Sequence, residues 1–214
     1  MNSKTGPHVG APAVIALQRR DLGEAVEVLG EAFRDYPVMR HVLGPARDYD
    51  ACLPVLVELF ASGRALRGEP MLGVRDADGR LLAVALVTPP GSVAAPAELL
   101  ALRERTWERL GGDARRRYEA FADACDRLGI DTPHHHLNMI GVRRPQQGSG
   151  LARPLLEAVH ELAGRDPGSA GVSLTTEHAP NLALYQRFGY RITGELPVAA
   201  GLHTWTLFRA GSAP

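Results

Sequence analysis

Apolar residues along this chain come in short continuous or alternating runs, separated by stretches in which they recur every third or fourth place. That succession predicts alternating strands and helices. Ala13 to Leu17 reads as a strand, and the polar cluster Gln18-Arg19-Arg20-Asp21 then offers Asp21 as N-cap of a helix from Leu22 to Phe33. Pro37 is expected to interrupt the chain. A second helix is predicted over Tyr49 to Ser62, where Leu53, Leu56, Val57 and Phe60 share helical spacing. Met71 to Arg75 and Leu81 to Thr88 flank Asp76-Ala77-Asp78-Gly79, whose Asp-Gly pair supplies the positive φ of a hairpin turn. From Pro96 to Leu128 the chain is rich in helix-forming Leu, Ala, Arg and Glu and is split at Gly111-Gly112, which predicts a helical insertion. Alternation then resumes with a strand His135 to Val142, a helix Leu151 to Ala163, a strand Val172 to Thr176, a helix Asn181 to Phe188, and strands Tyr190 to Thr193 and His203 to Phe208. The order implies an α/β fold of mixed α+β type, with helices on both faces of a mixed sheet.

Length and charge narrow the field. A chain of 214 residues suits one compact domain, expected over residues 12–209, with tails at 1–11 and 210–214 and the insertion at about 96–129. Lys+Arg and Asp+Glu each number 24, so no summed field would attract nucleic acid or an anionic membrane, and the expected partner is a small molecule. Cys52 and Cys125 are the only cysteines, and neither a disulfide framework nor a zinc spacing is present. The first residues lack the pattern of a secretion signal, and no apolar run approaches the ~18 residues of a membrane span. A cytoplasmic protein is expected.

The stretch from His134 to Arg153 carries the chemistry. A strand enters a turn in which Gly148 and Gly150 permit conformations that a Cβ forbids, and the helix that follows presents unpaired amides to whatever fills the turn. Such a turn cradles an anion. A P-loop needs a lysine after its last glycine, and Lys4 is the only lysine here; the dinucleotide fingerprint needs a small residue where Arg153 stands. His134-His135-His136 does not suggest a metal site, because adjacent strand residues point to opposite faces.

The hexad Gln147-Gly148-Ser149-Gly150-Leu151-Ala152 resembles the Gln/Arg-x-x-Gly-x-Gly/Ala signature of the GNAT acetyltransferases, five residues after a strand ending at Val142. Asn181 to Tyr190 resembles the family's Asn-x-x-x-Tyr-x-x-x-Gly-Phe segment, with Tyr190 in place of the phenylalanine, and Pro145 stands one residue later than the usual proline. The resemblance implies a GNAT-like, largely antiparallel twisted sheet of about seven strands with the helical insertion between strands three and four. It implies acetyl-CoA as co-substrate and no metal. Amides of Gln147, Gly148, Ser149, Gly150, Leu151, Ala152 and Arg153 would hold the pyrophosphate, and Ile140, Gly141 and Val142 would pair with the pantetheine arm. Asn181 would touch the pantetheine, and Tyr185 would stand near the sulfur.

The implied reaction is transfer of acetyl from acetyl-CoA to a primary amine in a ternary complex, with Tyr185 protonating the departing thiolate. By period-two alternation Ile140, Asn138, His136 and His134 should share one face, which makes His136 the first candidate base, with Glu177 and His178 in reserve. Tyr36, Asp35 and Arg40 are implied as acceptor contacts. A non-catalytic acyl-CoA sensor and a transferase for longer acyl chains stay open, as does the acceptor: antibiotic, polyamine, amino acid, protein N-terminus or lysine. An exposed edge strand near the C-terminus is compatible with a homodimer.

Overall fold

The computed structural model describes residues 13–45, 48–91 and 93–211; the expected N-terminal tail and residues 212–214 lie outside them. In chain order the elements are β1 (Val14–Ala16), α1 (Leu22–Phe33), α2 (Pro37–Leu43), α3 (Tyr49–Arg67), β2 (Met71–Arg75), β3 (Leu81–Thr88), α4 (Ala97–Leu110), α5 (Gly112–Arg127), β4 (His135–Val142), α6 (Ala152–Arg165), β5 (Gly171–Thr176), α7 (Pro180–Arg187), β6 (Arg191–Ala199) and β7 (Leu202–Ala210). The strands form one seven-stranded sheet in the order β1-β2-β3-β4-β5-β7-β6, antiparallel except where β4 meets β5. Among the described residues no helix is long and apolar enough to cross a membrane.

Two apolar layers sandwich the sheet. Leu29, Val57, Leu86 and Met139 belong to the layer beneath α1, α2, α3 and α4, whereas Val87, Leu137, Leu155 and Leu174 belong to the layer beneath α6 and α7. From Ala83 to Val87 the alternation in β3 is regular, with Leu86 facing one layer and Val87 the other. Gly141 sits where α1 crosses β4: a Cβ there would stand 2.8 Å from Ala32 Cβ and 3.0 Å from a Leu29 methyl. We expect Gly141→Val to force α1 away and to cost about 1–3 kcal/mol, read as a lower urea midpoint with an unchanged slope.

Several sequence expectations need correction. Pro37 does not break the chain. It opens α2, because a proline at the first helical position forfeits only an amide that has no helical partner. Asp21 does not cap α1 through its side chain; its carboxylate accepts the Gln18 amide at 2.8 Å and pairs with Arg75 at 2.9 Å. The second helix continues past Ser62 to Arg67 and stops only at Gly68, in left-handed conformation. The strand expected to end at Thr193 runs on to Ala199, since an edge strand tolerates Gly194 and Pro197 at its register shifts.

The largest correction concerns β4. Leu86 faces Met139 but Val87 faces Leu137, so Asn138 is an extra residue with no opposite number in β3. Leu137 and Met139 consequently pack into opposite layers, and Ile140 and Val142 return to the layer of Leu137. The common face expected for Ile140, Asn138, His136 and His134 does not exist, because the bulge resets the alternation between His136 and Ile140.

Candidate active site

β4 and β5 run parallel through three residue pairs only, His135 with Val172, His136 with Ser173 and Leu137 with Leu174. Beyond Leu137 the strands part, while β4 stays paired to β3 as far as Val142. A cavity of about 1040 Å³ opens along the parting. It reaches from Gln147, Gly148 and Ala152 at the Gly-rich turn, past Ile140 to Val142, to Tyr185, Glu177 and the inner faces of α2, α3 and α5.

The Gly-rich turn is built by short bonds within itself. Ser149 N–H donates to Gln146 O at 3.2 Å, Gln147 N–H to Arg144 O at 3.2 Å, Arg153 N–H to Gly150 O at 3.1 Å, and the Gln147 side chain to Val142 O at 3.2 Å. The amides of Gly148, Gly150, Leu151 and Ala152 donate to no carbonyl among the described residues. Of the seven amides expected in the cradle, those of Gln147, Ser149 and Arg153 are spent on bonds that shape the turn, and the other four have no carbonyl partner among the described residues. Gly148 and Gly150 hold φ of 82° and 88°, and a Cβ on either would meet nothing within 4 Å. Glycine is required there for backbone freedom, and the space outside is open. Arg153 lies over the Phe188 ring, its guanidinium carbon 5.0 Å from the ring centre, at the same end of α6.

The opposite wall holds the titrating groups. Tyr185 is buried on α7 with its ring edge against Tyr190, and burial together with the Glu177 charge raises its phenol. No hydrogen bond engages its hydroxyl among the described residues. Asn181, one turn earlier, lines the cavity and donates to Thr176 Oγ1 at 3.4 Å. Glu177, immediately beyond β5, is buried; burial pushes its carboxyl up to about 7 despite the bond it accepts from Thr204 Oγ1 at 2.9 Å. Tyr36 braces this corner, its hydroxyl 2.9 Å from Thr176 Oγ1 and accepting the Glu177 amide at 3.1 Å.

The three consecutive histidines go three ways. His134 bonds Thr132 O at 2.6 Å, His135 bonds Ser169 Oγ at 2.9 Å, and His136 bonds Ser173 Oγ at 2.8 Å. His136 does line the cavity, but burial and the nearby His134 and Arg64 pull its imidazole down to about 4, leaving a weak base at neutral pH. His178 is a rim residue, 3.5 Å from Asn181 Oδ1. Among the implied acceptor contacts Tyr36 faces the cavity, and Asp35 lines it but is bound by Arg40 and Arg144. Arg40 lies over the Tyr49 ring at 3.8 Å and outside the cavity wall. Sequence reasoning ranked Glu177 second to His136 because nothing local signals its burial; missing altogether were the wall residues of α3, Leu56 and Phe60, whose apolar spacing marked them as ordinary helix.

Residues 127–206 match the family model described as an acetyltransferase (GNAT) domain. Among solved structures, a histone acetyltransferase HPA2 and related acetyltransferase from Corynebacterium glutamicum is similar at a TM-score of 0.69 and 20% identity, covering 96% of this chain and 99% of that one. The ribosomal-protein-S18-alanine N-acetyltransferase of Escherichia coli matches at 0.57 and 17%, over 95% of this chain and 96% of its own. Arylalkylamine N-acetyltransferase 2 of Aedes aegypti matches at 0.65 and 16%, over 93% and 98%. At these identities the likeness is one of fold.

Proposed function

We propose that this chain, whose residues 127–206 match the acetyltransferase (GNAT) domain model, transfers the acetyl group of acetyl-CoA directly to a primary amine in a ternary complex. The observation that carries this reading is the parting of β4 from β5 beside a turn with four undonated amides. The diphosphate would rest on the amides of Gly148, Gly150, Leu151 and Ala152 at the start of α6, with Arg153 beside them. The pantetheine would lie along Ile140, Gly141 and Val142 as an added strand, in contact with Asn181.

In this reading Glu177 replaces His136 as the base. A carboxyl near 7 is half ionised at neutral pH and able to take a proton from an ammonium that approaches it, whereas an imidazole near 4 is not matched to that task. The freed amine adds to the thioester carbon, and an amide of β4 freed by the parting steadies the oxygen as it gains charge. Collapse breaks the carbon–sulfur bond. Tyr185 gives its proton to the departing sulfur and regains one from the new amide nitrogen, so the products are the acetamide and free coenzyme A thiol. Because its phenol is raised, Tyr185 is protonated throughout the working range before the step.

The test is thiol release across a panel of primary amines with acetyl-CoA as donor. Tyr185→Phe should lower kcat about 10–100-fold, leaving the dissociation constant of coenzyme A within about threefold. Equal turnover by parent and variant would remove Tyr185 from the reaction. Binding of acetyl-CoA with no thiol released from any amine would favour the sensor reading, and propionyl- or succinyl-CoA outpacing acetyl-CoA would favour a longer donor.

A further inference from the structure

The far half of the cavity has a chemistry of its own. Where the Gly-rich turn lies on the α6 side of the sheet, this half is walled by Met39 and Val42 of α2, Leu56 and Phe60 of α3, and Tyr118 and Phe121 of α5, all within or against the apolar layer of α1 to α4. The aromatic members are packed against one another: the Tyr118 ring centre is 5.6 Å from Phe60 and 5.1 Å from Trp107. Such a wall is rigid and offers large apolar faces.

Its charges are few and mostly already matched. Arg64 on α3 faces the cavity but is paired with the buried Glu69 at 2.6 Å. Asp35 is held by two arginines, and Asp126 is exposed at the end of α5. Glu177 is the carboxylate that stands deep in the wall, close enough to Tyr185 to raise its phenol. One ammonium therefore has a buried counter-ion, and a second would meet aromatic and aliphatic surface with a guanidinium in it.

We infer that the acceptor is a monoamine whose primary amino group is borne on an aromatic or bulky apolar body, and that polyamines and other polycations are excluded. This rests on the transferase reading above and narrows it. The ammonium meets Glu177 while the body fills the space between α2, α3 and α5, which aligns the nitrogen with the thioester and removes water from the wall. A second ammonium drawn in among these rings would be stripped of water with no buried carboxylate to replace it, since Asp126 stands exposed at the end of α5.

The discriminating comparison is 2-phenylethylamine against spermidine, each measured two ways: by thiol release with acetyl-CoA, and by calorimetric binding to protein saturated with coenzyme A. We expect 2-phenylethylamine to exceed spermidine by about 100-fold in kcat/KM and to bind the coenzyme-loaded protein more tightly. Phe121→Glu, which places a second carboxylate on the wall, should shrink that preference about tenfold or reverse it, with circular dichroism confirming the folded state. Spermidine matching or beating 2-phenylethylamine in either measurement overturns the inference, and so does the absence of binding and turnover with both. If 2-phenylethylamine binds selectively yet no thiol is released, the transfer chemistry fails while the acceptor class stands.

Discussion

Glu177→Gln should abolish most of the activity and at the same time make the protein more stable. Without the carboxylate, kcat/KM for an amine acceptor should drop by about 10²–10⁴-fold, since Glu177 is the proposed base and the carboxylate buried deep in the cavity wall. In the parent, kcat/KM should fall with unit slope as the pH drops below about 7, the value to which burial lifts Glu177, and in the variant that limb should vanish. An unchanged acid limb in Glu177→Gln would assign the base elsewhere. The stability effect has a definite sign. In the unfolded chain the carboxyl titrates near 4.5 and in the fold near 7, so the fold binds the extra proton between those values. Stability contributed by the protonated form is present at low pH and is lost as the pH rises through 7. Glutamine escapes that loss, so at pH 8 the variant should gain up to about 3 kcal/mol over the parent, with little difference at pH 4.

The second large effect is expected at Gly150. Its φ of 88° strains any residue with a Cβ by about 1–2 kcal/mol, and glutamate adds a negative charge among the amides proposed to hold the diphosphate. Gly150→Glu should weaken coenzyme A binding by more than about 100-fold in calorimetry, whereas Gly150→Ala should cost about tenfold through strain alone. Pantetheine, which has no diphosphate, provides the internal control, and its affinity should be the same in Gly150→Glu and the parent. Parent-like binding of coenzyme A by Gly150→Glu would remove the turn from the cofactor site.

Much of this architecture could be read from the sequence where the signal is local. α1 and the β2–β3 hairpin fall where periodicity and the Asp-Gly turn place them, and β4 spans the predicted residues. The Gly148 and Gly150 conformations follow from residue type. What escaped depends on partners far along the chain. The bulge at Asn138 is set by how β4 registers against β3, about fifty residues earlier, where Asn138 Oδ1 lies 3.0 Å from the Thr88 hydroxyl. Nothing in His135 to Val142 announces it, and a period-two count across it misplaces His136 relative to Ile140. Glu177 titrates near neutrality because elements distant in sequence bury it, against a downward pull from its bonds to Thr204 on β7 and Tyr36 before α2, so its neighbours in sequence could not reveal it. α2 was lost because a proline after a tyrosine reads equally well as the end of one segment or the opening of the next.

α5 is not threaded through the sheet. It leans on α2, α4, β6 and β7, and the side chain of Leu128 just after it fills the space that a side chain on Gly194 would need. On the proposed function, the surface that would meet the amine is therefore partly an appendage, while the turn that would hold the diphosphate belongs to the scaffold. On that same reading, changing the cavity-facing residues of α5, such as Tyr118 and Phe121, would alter which acceptor fits without touching the Gly148–Gly150 turn.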